Sequence, residues 1–463
     1  MTSTIQLISP VDGRVYAERR CADAGQIDQA LAAAEAAQAL WKRRPLSERA
    51  AFCSAAVDAM LAMKAEIVPE LAWQMGRPVR FGAGELRGFE DRARHMIAIA
   101  PEALAALEPT PIAGFRRFIK REPLGTVLVV APWNYPYLTA VNTIIPALMA
   151  GNSVILKHAS QTLLVGERFA EAFRRAHLPD GLFQNLLLSH VYTGAIIASG
   201  RVQQVNFTGS VEGGKCMEHA AIEEFVGVGL ELGGKDPAYV RSDANLEHAV
   251  ENLVDGSFFN SGQSCCAVER IYVDEQLYPA FVERFVTLTR QYVLGNPLDE
   301  ATTLGPMVSS GAADFVRGQV AEALAQGARA LIDPRAFPAY APGTAYLAPQ
   351  VLVDVSHRMS VMREESFGPV VGIMSVASDD EAIALMNDSE FGLSASIWTQ
   401  HLAAAEHLGN QIDTGTVFMN RCDYLDPALA WTGVKHSGRG ATLSRLGYEH
   451  LTRAKSFHFR HET

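Results

Sequence analysis

The sequence predicts an α/β protein built on a parallel sheet with helices on both faces. Two observations carry this. From Thr126 onward, short apolar runs alternate with helical patterns, which is the signature of strand–helix–strand units. And 48% of the 463 residues are hydrophobic, enough for a large core spread over two domains or more.

The elements follow in order. The Ala-rich stretch 26–41 reads as a helix, and 47–75 as one or two more with core-facing Ala, Leu and Met. Pro109 and Pro111 then break the pattern. Residues 115–120 alternate as an exposed strand. Strands are expected at 126–130, 153–156, 184–188, 204–207 and 227–232. The helices between them end near Ala150, cover 162–176, lie near 193–199 and cover 212–221. Such a sheet binds ligands beyond the carboxyl ends of its strands. Trp133, Asn134, Lys157, Thr208 to Ser210 and Glu231 all lie at those ends.

A second alternating region follows. Leu246, Val250, Leu253 and Val254 recur at helical spacing and lead into Phe258-Phe259-Asn260-Ser261-Gly262-Gln263-Ser264-Cys265-Cys266-Ala267. A strand, 270–273, leaves that loop. Helices over 277–293 and 311–326 come next, then strands at 370–376, 394–398 and 416–419. The tail 451–460 alternates again. No internal repeat is visible.

Composition removes several function classes. The formal net charge is −11 and there is no basic run, which disfavours nucleic acid and anionic lipid as partners. Six cysteines, at 21, 53, 216, 265, 266 and 422, are too sparse for a disulfide framework and lack zinc-like spacing, so no metal is expected. A reducing, cytoplasmic setting fits. The N-terminus lacks the charge-then-apolar pattern of a signal peptide. No apolar run approaches the ~18 residues of a membrane span.

Three stretches carry chemistry. The small polar loop around Gly262 can present a cysteine, a nucleophile near neutral pH; the bland reading is a buried structural pair. In Val228-Gly229-Leu230-Glu231-Leu232-Gly233-Gly234-Lys235 one carboxylate sits among apolar residues and glycines, where burial raises its pKa toward that of a general base. Ala131-Pro132-Trp133-Asn134-Tyr135-Pro136 offers an amide that can donate to an oxyanion. A fourth stretch, Phe207-Thr208-Gly209-Ser210 before a helix, suits a pyrophosphate at the helix N-terminus.

Together, in this order, these stretches resemble the aldehyde dehydrogenase superfamily, from about Pro10 to the C-terminus. The resemblance implies a Rossmann-like cofactor domain (1–104 and 124–230), an α/β catalytic domain (231–440) and a small β oligomerisation element (105–123 and 441–463). It implies a homodimer or homotetramer. It implies oxidation of a small-molecule aldehyde to the acid with NAD or NADP. Cys265, the second residue after Gly-Gln, is the implied nucleophile, through a thiohemiacetal and a thioester. Asn134 and the Cys265 N–H would hold the oxyanion, and Glu231 would activate water. Trp133, Lys157, Ser160, Gly209, Ser210, Glu365 and Phe367 would hold the dinucleotide. Tyr135, Phe258, Ser264, Cys266, Arg421 and Trp431, with Tyr424, are candidates to line the aldehyde tunnel. Arg421 is the candidate clamp for a substrate carboxylate, against an alternative in which it pairs with Asp423 or Asp426. Lys435 lies in a family-like loop without a catalytic role.

Four departures stand out. The first strand is expected to be missing or shortened. Thr143 stands where many members carry Lys. Trp431 replaces a more usual Phe. Ser160 stands where NAD-preferring members carry Glu, which leans the expectation toward NADP. A CoA-acylating enzyme and a catalytically silent protein on the same fold are the alternatives; retention of Glu231 argues against the first, and retention of Cys265, Glu231 and Asn134 against the second.

Overall fold

The computed structural model describes residues 4–462. Two parallel-sheet units dominate. In the first, a six-stranded sheet runs in the order Gly438–Arg439, Gly227–Glu231, Gln204–Thr208, Thr126–Val130, Ser153–Lys157, Phe183–Asn185. All neighbours are parallel except the edge pair of Gly438–Arg439 with Gly227–Glu231. The central strands Thr126–Val130 and Ser153–Lys157 are buried throughout, which is why they read as continuous apolar runs rather than alternating ones.

The second unit is a seven-stranded sheet in the order Arg329–Ala330, Gln350–Val353, Val370–Val376, Val268–Asp274, Asp236–Val240, Ser394–Trp398, Thr416–Met419. Only its first pair is antiparallel. Asp236–Val240 and Gln350–Val353 are not predicted from the sequence. Both are short and fully buried, so neither shows a period. Phe115–Pro123 and Thr452–Arg460 form a separate antiparallel ribbon over nine residue pairs. Phe118 stacks on Phe457 across it, with ring centroids 4.5 Å apart.

Two expectations need correction. The chain does begin with strands: Thr4–Ile8 and Val15–Arg20 form an antiparallel hairpin. Only Leu7 of its first strand is buried, so no alternation announces it. The helix Val79–Ala103 is also absent from the expected elements. It contains Gly82, Gly84, Gly88 and Pro101, all poor helix formers. Two of the glycines serve packing. A Cβ on Gly82 would lie 2.8 Å from the Val68 side chain, and one on Gly88 3.1 Å from Leu138. This helix therefore lies close against Lys64–Met75 and Pro136–Ala150.

Candidate active site

A cavity of about 690 Å³ opens between the two sheet units. Its walls bring together Asn134, Glu231 and Cys265, which are far apart in sequence. Trp133, Lys157, Gly209, Ser210, Glu365 and Phe367 line it as well, as do Tyr135, Ser264, Cys266, Tyr424 and Trp431.

The loop that carries Cys265 is locked by its own side chains. Asn260, Ser261 and Gly262 have φ of +53°, +58° and +70°, a left-handed run that is costly for the first two. The surroundings impose it. Asn260 Nδ2 donates to the Asn134 carbonyl and to the Gln263 carbonyl, each at 3.2 Å. Ser261 Oγ donates to the Gly305 carbonyl at 2.8 Å. Gln263 Oε1 accepts from the Val308 N–H at 2.7 Å. At Gly262 a Cβ would meet the Gly368 carbonyl oxygen at 2.3 Å, so no side chain fits.

Cys265 is half-buried and on the cavity wall. Cys266 is only 2% exposed. Its Sγ donates to Asp423 Oδ1 at 2.9 Å, and Ser264 Oγ donates to the same oxygen at 2.8 Å. Its contact with Cys265, burial and the nearby Asp423 carboxylate push the Cys266 thiol well up. That makes Cys266 a poor thiolate. Asn134 is 6% exposed, and its Nδ2 donates to the Gln263 carbonyl at 3.2 Å. The Asn134 amide thus lies against the loop that carries Cys265.

Glu231 ends the strand Gly227–Glu231. One carboxylate oxygen accepts from Thr208 Oγ at 3.3 Å and the other from Thr442 Oγ. Burial pushes its pKa up, and the two hydroxyls and Arg92 offset this only in part. The Gly233-Gly234 turn that follows allows close approach. A Cβ at Gly234 would meet the Cys265 carbonyl oxygen at 2.5 Å, and one at Gly233 the Glu365 carboxylate at 2.3 Å.

Beneath the site lies Arg77, 2% exposed. It pairs with Glu85, donates to the Asn134 carbonyl at 2.6 Å and to Asn260 Oδ1 at 3.2 Å. Glu85 in turn accepts from the N–H groups of Tyr137 and Leu138, at 2.9 and 3.1 Å, satisfying donors at the start of the Pro136–Ala150 helix. Neutral His158 ties the same loop to the next strand. Burial pushes it down to about 4. Its Nε2–H donates to the Pro136 carbonyl, and Nδ1 accepts from Thr162 Oγ, each at 3.2 Å.

The far half of the cavity fits a dinucleotide. Ser210 caps the helix Val211–Ala221 by accepting from the Gly213 N–H, which leaves the neighbouring amides for a phosphate. A Cβ at Gly209 or Gly213 would come within 2.6 or 2.5 Å of the Phe207 ring. Trp133 and Phe367 meet edge to face at 5.5 Å. Glu269, paired with buried Lys235, accepts from the Ser366 and Phe367 N–H groups at 2.8 and 2.9 Å and fixes that loop. Burial, with Glu269 nearby, raises Glu365 to about 8.

Three of the residues predicted for the site lie elsewhere. Phe258 is fully buried against Phe285 and Tyr292 in the second unit's core. It ends its helix one residue too early to reach the cavity, and Phe259 lines the wall instead. Arg421 is exposed, stacked 3.2 Å from the Tyr424 ring centroid, off the cavity wall. It pairs with neither Asp423 nor Asp426. Ser160 starts a short 3-10 turn, Ser160–Thr162; Lys157 and Ala159 line the wall there, and Ser160 does not. Conversely, Arg92, Asn142, Asp423 and Thr442 touch the site without a sequence motif to mark them.

A cysteine, a pKa-raised glutamate and an amide, set across a cavity from a dinucleotide-fitting strand–helix turn, define an oxidoreductase with a covalent step. The family model of the aldehyde dehydrogenase family matches residues 1–457, and the chain belongs to that family. It is an NAD(P)-dependent aldehyde dehydrogenase. The chain is 34% identical over 443 residues to the succinate semialdehyde dehydrogenase [NAD(P)+] Sad of Escherichia coli (strain K12), covering 95% of this chain and 94% of that one. It is equally 34% identical over 458 residues to betaine aldehyde dehydrogenase 1 of Rhizobium meliloti (strain 1021), covering 98% and 93%. The solved structure of Gox0499, described for its cofactor and substrate selection, superposes with a TM-score of 0.94 at 32% identity, covering 98% and 99%.

Proposed function

We propose that Cys265 attacks the aldehyde carbonyl to form a thiohemiacetal whose oxyanion is held by Asn134 Nδ2 and the Cys265 N–H. Lys157, Gly209, Ser210, Glu365, Phe367 and Trp133 would hold the dinucleotide, which when bound supplies the hydride acceptor. Loss of hydride leaves a Cys265 thioester. Glu231, with its raised pKa, takes a proton from the water that attacks the thioester, and the carboxylic acid leaves. Thr208 and Thr442 orient the carboxylate. The observation that carries this reading is the convergence of Cys265, Glu231 and Asn134 on one cavity. A panel of aliphatic, aromatic and carboxylated aldehydes, assayed with NAD and with NADP and without CoA, tests it. Free acid is the expected product; product that forms only with CoA present would overturn the hydrolytic role of Glu231.

Both dinucleotides are expected to serve, with a modest lean to NADP. Lys157 supplies a positive charge at the adenosine end, and position 160 carries no carboxylate to repel a 2′-phosphate. A succinate-semialdehyde dehydrogenase of Mycobacterium avium (strain 104) named for NADP is 34% identical to this chain. Ser160→Glu is expected to cut kcat/KM for NADP by ~5–150-fold while sparing NAD. An unchanged NADP/NAD ratio in that variant would remove position 160 from cofactor choice, in keeping with its place off the wall.

We further read the Phe115–Pro123 and Thr452–Arg460 ribbon as an oligomerisation element of a homodimer or homotetramer, since both strands are largely exposed or half-buried and, among the described residues, no third strand covers them. The proposed domain limits remain those read from the sequence. Six unpaired cysteines support a reducing compartment, the cytoplasm. Among the described residues no helix is long and apolar enough to cross a membrane.

A further inference from the structure

Cys265 sits in a turn that is held from outside. Ser264, Cys265, Cys266 and Ala267 form a β-turn closed by the Ala267 N–H on the Ser264 carbonyl at 3.2 Å. Cys265 and Cys266 are its central residues. Ser264 and Cys266, 3% and 2% exposed, flank Cys265 in the chain, and both side chains donate to one atom, Asp423 Oδ1. Among the described residues the Cys265 N–H has no acceptor. Asp423 is itself firmly mounted. Its φ is +44°, a left-handed conformation that Asp tolerates better than most residues. Three residues earlier, Asn420 donates through Nδ2 to the Thr399 carbonyl at 2.8 Å and accepts the Thr399 N–H at 3.0 Å. Those two bonds anchor the loop to the end of the Ser394–Trp398 strand.

β-Turns of different type differ in the rotation of the peptide plane between their two central residues, here the Cys265–Cys266 plane. Its carbonyl already abuts Gly234, where no side chain fits. Fixing the residues before and after Cys265 on a single external oxygen limits that rotation further. The heading of the Cys265 sulfur and N–H is then set by this clip. A carboxylate bonded to both neighbours of a nucleophilic thiol is electrostatically adverse, because it disfavours the thiolate. Geometry accounts for its place there. We propose that Asp423 is a positioning residue, which holds the Ser264–Ala267 turn so that Cys265 meets the aldehyde with its sulfur and its N–H in register. The proposal rests on the reading of Cys265 as the nucleophile.

Ion pairing does not account for Asp423. Among the described residues its only side-chain hydrogen bonds are those to Ser264 and Cys266. Arg421, two residues earlier, stacks on Tyr424 instead. Burial pushes the Asp423 pKa up, and the Cys266 and Ser264 bonds are the strongest influences pulling it back, ahead of the more distant Arg77 and Arg92. The two donors that the carboxylate holds in place are thus the same groups that favour its ionised form.

The test reads acylation apart from binding. Asp423→Leu keeps the size and removes the acceptor. The pre-steady-state burst of reduced cofactor is expected to slow ~100-fold, with the aldehyde KM and the dinucleotide affinity little changed. Asp423→Asn keeps an oxygen in the same place and is expected to recover most of the rate. Ser264→Ala and Cys266→Ala each leave one arm of the clip, and each is expected to cost ~2–5-fold. Together they remove both arms, and the loss is expected to exceed the product of the two singles. Adding Asp423→Leu to that pair should cost nothing more. This triple variant leaves none of the three polar groups unpaired, which keeps the test sound if Asp423→Leu folds poorly. Alkylation of Cys265 by iodoacetamide forms no oxyanion and is expected to persist throughout. A wild-type burst in Asp423→Leu or in the triple variant would overturn the clip. So would an Asp423→Asn as slow as Asp423→Leu, singles that combine independently, or alkylation that falls in step with the burst. A dead Cys266→Ala, with alkylation at 266 rather than 265 in the wild type, would overturn the assignment of Cys265 and the clip with it.

Discussion

Cys265→Ala is expected to remove turnover almost completely, by about 10⁶-fold as when other covalent enzymes lose their nucleophile, while Cys266→Ala keeps much of the activity. The reason lies in two neighbouring environments. Cys265 stands on the cavity wall, half-buried and close to the Asn134 amide that would receive the oxyanion. Cys266 is buried, and its thiol donates to a carboxylate. A thiolate at 266 would have to form beside that carboxylate in a medium of low dielectric. Steady-state rates and labelling by an electrophilic aldehyde analogue check this. Labelling should vanish with Cys265 and persist without Cys266. A dead Cys266→Ala beside an active Cys265→Ala would reverse the assignment.

Glu231→Gln is expected to separate the two halves of the reaction. Acylation needs the thiol and the oxyanion donors; hydrolysis needs a base. A pre-steady-state burst of reduced cofactor should survive in the variant, followed by turnover slowed ~100–10,000-fold. The pH profile carries the same information. Burial raises the Glu231 pKa, and the base works only when ionised. Turnover should therefore fall with decreasing pH through a limb that lies above the ordinary carboxylate value of ~4.3. That limb should disappear in Glu231→Gln. Stability has the opposite sign. The folded state holds this proton more tightly than the unfolded chain, so the carboxyl contributes less as pH rises above its unfolded value. At neutral pH the Gln variant should be no less stable than the wild type, and a chemical denaturation series would show it. Wild-type turnover in Glu231→Gln would eliminate the base.

Much of this is legible in the sequence because some residues have only one physical use. A Gly-Gly turn directly after a lone Glu, and a Gly-Gln-x-Cys loop, need close backbone approach and one presented side chain, whatever surrounds them. The parallel sheet is legible for a related reason: fully buried strands read as apolar runs. The helix Val79–Ala103 is not legible. Its buried stripe includes Glu85 and Arg92 beside Leu86, Phe89, Ala93 and Met96, so charge sits where the pattern demands apolar residues. Those charges are buried because they serve the site, and only the tertiary partners reveal it. The same holds for Asp423, Thr208 and Thr442, whose roles depend on contacts 159, 23 and 211 residues distant along the chain. Phe258 and Phe259 show the limit in the other direction. Adjacent aromatics point to different sides of a helix end, and sequence alone does not tell which side is which.

The Arg77 cluster has a bearing on how such a protein can change over generations. One guanidinium holds the backbone under Asn134, the Asn260 corner and, through Glu85, the first turn of the Pro136–Ala150 helix. Any substitution there disturbs three parts of the reactive geometry at once. Thr139 and Tyr424 stand outside that cluster and can be exchanged singly with the reacting atoms left in register; Arg92 does not, since the Leu138 residue whose carbonyl takes its Nη1 also bonds Glu85 through its N–H. The molecule separates the part that must be inherited intact from the part free to acquire a new aldehyde, and both parts are built largely on the same two helices.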